Sequence, residues 1–185
     1  MPSSHELRQR YSRLSDNKIM ELAVREAGGL TVEAIEVLRE QIRTRNLDHN
    51  LEKSIQAQRR EWSDSDQAEL LDEFRDLPCP ICQSTEHKLN GFTIKKIKSF
   101  VLYGIRSSEF VVGCPHCISA KAESASKVTR LLGWWVLPLG VNWTIEALEN
   151  NSKVRKHSSD MDPSDELRAY VEANLGEVVL LTRST

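Results

Sequence analysis

The sequence predicts an α+β fold, a small antiparallel hairpin carrying a four-cysteine metal site and flanked on both sides by helical segments. Three observations predict it. All four cysteines of the 185-residue chain fall in two C-x-x-C pairs, Cys79-Pro-Ile-Cys82 and Cys114-Pro-His-Cys117. Between them, "GFTIKKIKSFVLYGI" and "EFVVG" alternate apolar with polar residues at the period of a strand. On either side, apolar residues recur at i, i+3 or i+4, the period of an amphipathic helix. The expected organisation is a helical N-terminal module over 1–77, the hairpin with a Trp-rich helical hairpin over 78–151, and a linker with a helix and strand over 152–185.

In the N-terminal module, Ser15 or Asp16 caps a helix through Ile19, Leu22, Ala23 and Ala27, because its side-chain oxygen takes an orphan N–H of the first turn. Gly28-Gly29 ends that helix, glycine being free to adopt the left-handed conformation of a C-cap. Thr31 caps a second helix through Ile35, Leu38 and Ile42, closing at Asn46. Leu51, Ile55 and Trp62 mark a third helix, with a charged linker over Asp48 to Asp66 as the alternative. Ser63 caps a fourth through Leu70, Phe74 and Leu77. The stretch "RYSRLSDNKIMELAVREAGGLTVEAIEVLREQIRTRNL" resembles a short helical module at the start of many uncharacterised bacterial proteins. That resemblance covers residues 8–47 and implies bacterial origin and no catalytic residue.

The cysteines carry the strongest chemical signal. Each C-x-x-C can turn so that both sulfurs face one point, and two such turns supply the tetrahedral four-thiolate set that zinc prefers. Proline after the first cysteine of each pair suits the turn. The intervening residues read as a strand, a turn near Gly104 to Ser108 and a returning strand. Residues 78–118 thus resemble a zinc ribbon, which implies one structural Zn2+ on Cys79, Cys82, Cys114 and Cys117. Cys114-Pro-His-Cys117 also matches the active-site tetrapeptide of a family of periplasmic thiol oxidases. A twin pair and the lack of an apolar secretory core in Met1 to Arg13 weigh against thiol–disulfide oxidoreductase activity. The expected compartment is cytoplasmic, where thiols stay reduced and paired cysteines serve as metal ligands. His116 is expected to be an exposed knuckle residue, since four thiolates close the site.

Lys95, Lys96, Lys98 and Arg106 lie on or beside the hairpin, with aromatic residues interleaved, a pattern suited to nucleic acid. The competing reading is a solvated sheet face protected by lysines. Charge is uneven: residues 1–77 carry a net −4, 78–130 a net +5 and 131–185 a net −3, on a chain of net −2. After Cys117 a helix runs through Ile118, Ala122, Ala125, Val128 and Leu132. "LLGWWVLPLGVNWTIEALENN" then holds Trp134, Trp135 and Trp143. Pro138 and Gly140 break the helix, and Asn142 or Thr144 caps a return helix through Leu148. This stretch resembles the Gly-Trp-Trp-x-x-Pro-x-Gly segment that follows cysteine pairs in assorted uncharacterised bacterial proteins, some of them membrane-linked; the resemblance covers residues 79–151. The tryptophans are expected to be core, a protein docking patch or an interfacial membrane contact. The apolar run Leu131 to Ile145 is too short and too interrupted to span a bilayer. Residues 152–162 read as a linker, Asp162-Pro-Ser164 as the start of a helix stopped by Gly176, and "EVVLLT" as a final strand or an apolar tail seeking a partner sheet.

No Ser–His–Asp set, paired-carboxylate motif or phosphate-cradling glycine loop is evident in the sequence. The expected function is therefore non-enzymatic: a zinc-stabilised protein-binding or adaptor protein, with a protein partner or a homo-oligomer. The alternatives are a nucleic-acid-binding ribbon and a protein peripheral to the inner membrane. No small-molecule substrate is evident.

Overall fold

In the computed structural model, which describes residues 4–100, 103–134 and 139–183, helices and one two-stranded antiparallel sheet make an α+β fold. In chain order the elements are α1 (Ser4–Ser12), α2 (Asp16–Glu21), α3 (Val32–Thr44), α4 (Leu51–Arg59), α5 (Asp64–Arg75), β1 (Asn90–Phe100), β2 (Tyr103–Gly113), α6 (Pro115–Leu132), α7 (Leu139–His157), α8 (Asp165–Ala173) and α9 (Leu175–Arg183). They form two units, one of Met1–Phe74 with Val171–Thr185 and one of Arg75–Tyr170.

The helical unit is built by its caps. Ser15 Oγ accepts the N–H of Lys18 at 3.3 Å, and Thr31 Oγ1 accepts that of Ala34 at 3.3 Å. Ser63 Oγ accepts the Asp66 N–H at 3.2 Å while Asp66 Oδ2 accepts the Ser63 N–H at 3.3 Å, a reciprocal capping pair. The closing Arg45-Asn46-Leu47 also has a physical reason. Asn46 takes φ 52°, Asn46 N–H donates to Arg43 O at 3.1 Å and Leu47 N–H to Ile42 O at 3.0 Å, the paired bonds of a Schellman stop. Arg45 meanwhile donates to the carbonyls of Leu14, Tyr11 and Ser12, satisfying the end of α1. The core centres on Ile19, Leu38 and Ile55, all fully buried.

Several expectations are corrected in this unit. After α2 the chain passes through a π turn, Leu22–Glu26, and a 3-10 turn, Ala27–Gly29, in place of one regular helix. Residues 51–59 are helix, so the linker alternative fails there. "EVVLLT" is not a strand but part of α9, and Gly176 lies within that helix, buried, without stopping it. A Cβ on Gly176 would meet Ser54 Oγ at 2.7 Å, and Ser54 Oγ already donates to Gly176 O at 2.7 Å. The missing side chain lets α9 lie directly on α4.

In the second unit β1 and β2 pair from Asn90↔Gly113 to Phe100↔Tyr103. Gly104 to Ser108 are therefore strand, not turn; only Val101 and Leu102 lie between the last paired residues. Phe92, Ile94 and Val111 pack with Ile118, Ala122 and Ala125 of α6 and Val154 of α7. Gly91, diagonal to Phe110 across the two strands, is needed there because the ring's Cζ would lie 2.6 Å from an added Cβ; that ring stacks on Tyr170 at 5.0 Å. α7 begins at Leu139 and runs to His157. Asn142 and Thr144 thus lie inside it, and half of the expected linker 152–162 is its last turns, where Arg155, Lys156 and His157 suit the negative end of the helix dipole.

Among the described residues no third strand pairs with the free edge of β1; side chains take that place. Asn151 Oδ1 accepts the Lys95 N–H at 2.9 Å and its Nδ2 donates to Lys95 O at 2.7 Å. Asn150 Nδ2 donates to Thr93 O at 2.7 Å, Thr129 Oγ1 accepts the Ile97 N–H at 3.1 Å, and Glu166 accepts the Thr93 N–H. Buried backbone groups must be paired, and here helices supply the partners.

Candidate metal centre

The four cysteines converge at the base of the hairpin, just before β1 and just after β2. Their sulfurs all lie within 4.8 Å of one another, with Cys82 Sγ 3.7 Å from Cys114 Sγ. A tetrahedral zinc with Zn–S bonds of about 2.3 Å requires S···S separations of about 3.8 Å. The set fits such an ion. Cys79, Cys114 and Cys117 are buried and Cys82 is exposed, and Leu89, Leu77 and Val112 pack around the group.

The two pairs are built differently. The first is a knuckle: Gln83 N–H donates to Cys79 O at 2.8 Å and Cys79 N–H to Ser84 O at 3.0 Å. Gln83 adopts φ 61°, the left-handed position glycine would occupy at lower cost. The second pair opens α6. Cys114 is its N-cap with Pro115 at the first helical position, a place where proline's missing N–H is no loss. Ile118 N–H donates to Cys114 O at 3.1 Å, so the chain after Cys117 is already helical and needs no glycine. His116 is exposed and lies outside the sulfur cluster.

The thiols differ in acidity. Burial pushes Cys79 up, but the backbone N–H groups of Cys114, Cys82 and Ile81 and the Cys82 side chain outweigh it and bring the value down to about 6; the N–H of Cys114 reaches Cys79 Sγ at 3.3 Å. Burial raises Cys114 and Cys117, and neighbouring thiols add to it. Cys79 is thus poised as the thiolate, while Cys114 and Cys117 must lose protons to bind a cation.

The four hairpin cations are divided between faces. Lys95 and Arg106 both reach Glu146, at 2.7 and 3.3 Å, and Arg106 lies 5.1 Å over the Trp143 ring. Lys96 and Lys98, at the alternate strand positions, belong to the other face. Trp143 is half-buried, Trp134 is 41% exposed, and Trp135 lies outside the described residues.

A 680 Å3 surface cavity between α7, α8 and β1 has no counterpart in the sequence reading. It is lined by Asn150, Lys153, His157, Asp160, Asp162 and Glu166 among others, but His157 is paired with Asp160 at 2.8 Å and Glu166 with Thr93. The Asn150-Asn151 pair in mid-helix was the one signal available for the edge ladder, since asparagine is poor in helix interiors unless its amide is used. No protein-family model, curated protein or solved structure matches the chain.

Proposed function

We propose that this chain is a non-enzymatic, zinc-stabilised binding protein of adaptor type, with Cys79, Cys82, Cys114 and Cys117 holding one structural Zn2+ in a ribbon-like unit. The observation that carries the reading is the closure of the sulfur set. Four thiolates fill a tetrahedral shell and leave no position for water or substrate. When bound, the ion supplies a cross-link among three points of the fold: the knuckle, the end of β2 and the start of α6. The chain's own groups prepare for it, with N–H donors turned to Cys79 and apolar side chains keeping water from the buried sulfurs.

An adaptor needs a stable surface, and the ion would fix the hairpin and α6 relative to each other. The division of Lys95 and Arg106 from Lys96 and Lys98 favours this reading over the nucleic-acid alternative, which asks for one open basic face. The test uses the full-length chain. Metal analysis is expected to find one zinc per chain, lost on Cys82→Ser. Cross-linking in cells is expected to capture protein partners, or a second copy, with the wild type and not with the Ser variant. A folded chain without zinc, or cross-links indifferent to the substitution, overturns the proposal.

A further inference from the structure

The two edges of the sheet are treated differently. Along β1, Thr93, Lys95 and Ile97 turn backbone groups outward, and the side chains of Asn150, Asn151, Thr129 and Glu166 take them. Ile94 and Lys96 therefore bond across to Glu109 and Ser107 of β2. The alternation of an antiparallel ladder then fixes the far edge. Arg106, Ser108 and Phe110, the partners of Ile97, Lys95 and Thr93, point their N–H and C=O groups away from β1. No described group hydrogen-bonds to any of them.

Nothing guards this edge. β2 has no proline and no bulge in its register, the usual devices against strand addition. Its charged side chains are drawn back onto the chain's own helices: Arg106 to Glu146 at 3.3 Å and over the Trp143 ring at 5.1 Å, Glu109 to Lys121 at 2.9 Å. Between them stand only Ser107 and Ser108, and every residue from Ile105 to Glu109 is exposed. Helices α6 and α7 pack chiefly on β1, which leaves the β2 side open among the described residues of this unit.

We propose that β2 is a dimer edge: two copies pair β2 with β2, antiparallel about a twofold axis at Ser108, joining their hairpins into one four-stranded sheet. A second copy is the occupant that ends the assembly. Both outer strands of the joined sheet are then β1, whose outward groups are already taken, whereas an extended segment of another protein would bring a new open edge. Charge and pairing set the register. Outward groups must meet outward groups, so even-numbered residues pair with even-numbered ones. An axis at Arg106 or Glu109 sets like charges directly opposite each other, and one at Ser107 sets Ile105 against Glu109. Axes nearer either end of the strand leave outward groups unpaired. An axis at Ser108 sets Ile105, 51% exposed in the single chain, against the second copy's Val111, and Arg106 against its Phe110. Ser107 then faces the second copy's Glu109, where a hydroxyl can donate to a carboxylate. The inference rests on the zinc-stabilised binding reading and names the partner.

Sedimentation equilibrium of the full, zinc-loaded chain is expected to show a monomer–dimer equilibrium. As concentration rises, hydrogen exchange at the Arg106, Ser108 and Phe110 amides is expected to slow, the odd-numbered amides of β2 being protected throughout. Ser108→Lys and Ser108→Glu each set like charges across the axis and weaken dimerisation about tenfold or more, while a one-to-one mixture of the two variants restores it. Ser108→Pro, at an outward N–H where an edge strand tolerates proline, removes the bonds on the axis and yields monomer. Retained zinc content and circular dichroism verify the fold of each variant. A zinc-loaded chain that is monomeric at submillimolar concentration, a dimer indifferent to Ser108→Lys, or a mixture no tighter than either variant alone overturns the inference. Absence of zinc from the wild-type chain instead sinks the reading beneath it.

Discussion

At the scale of single residues, the two thiol classes set how the site answers to pH. Cys79 has its value lowered to about 6 from an ordinary 9.0. In the metal-free fold it therefore contributes stability that is complete above about pH 9 and lost as pH falls toward 6. Cys114 and Cys117 are raised, so their contribution is present below pH 9 and lost as pH rises beyond it. For zinc, the consequence is proton competition: between pH 6.5 and 8.5 at least two thiols must deprotonate on binding. Apparent affinity, measured by chelator competition, is expected to rise about a hundredfold per pH unit; a slope of tenfold or less contradicts the assignment of both buried thiols. Gln83 offers an independent probe. Its φ of 61° costs about 1 kcal/mol for a residue with a Cβ, so Gln83→Gly is expected to stabilise the zinc-bound chain by about 0.5 kcal/mol and Gln83→Val to destabilise it by about 1–2 kcal/mol in urea unfolding. The cysteines were legible from spacing alone, because C-x-x-C geometry is local. The asymmetry between knuckle and helix start was not, since both pairs carry the same Cys-Pro-x-Cys pattern and only the downstream chain distinguishes them.

At the scale of elements, the side-chain ladder along β1 makes the strongest quantitative prediction. Asn151 is fully buried and satisfies both backbone groups of Lys95. Replacing it by leucine, of similar size, leaves a buried N–H and a buried C=O without partners, at about 1–3 kcal/mol each. A loss of about 2–4 kcal/mol is expected by denaturant titration, large against a total of about 5–15 kcal/mol. Lys98→Thr, at an exposed position of the same strand, is expected to change stability by less than about 0.5 kcal/mol. A neutral Asn151→Leu would mean that water or a rearranged helix pairs the strand edge. Helices with side-chain caps were readable because Ser15, Thr31 and Ser63 each find their N–H within the first turn. The last element was misread because Val178-Val179-Leu180-Leu181 looks the same as a buried strand or as a buried helix. What decides is the close approach to Ser54 that Gly176 permits, a tertiary fact. The edge ladder was hidden for the same reason: Asn150, Asn151, Thr129 and Glu166 come from three helices far apart in sequence.

At the scale of the whole chain, the metal belongs to one unit. All four cysteines, the hairpin, α6 and α7 fall within Arg75–Tyr170, and the apolar cluster that joins sheet to helices has seven members, two of them alanines, Ala122 and Ala125. So modest a core gains little from burial at about 25 cal/mol per Å2, whereas a four-thiolate zinc is worth about 10–16 kcal/mol of coupled folding and binding in small modules. The Met1–Phe74 part has a separate core around Ile19, Leu38 and Ile55 and contains no cysteine. Chelation under reducing conditions should therefore act selectively. Hydrogen exchange read by mass spectrometry is expected to show amides of β1, β2 and α6 losing protection on zinc removal, while those of α2, α3 and α4 keep theirs. Re-addition of zinc should restore the first group without altering the second. Loss of protection in both groups together would make the chain one cooperative body, and unchanged protection in β1 and α6 would show that the core and the Asn151 ladder hold the hairpin without the ion.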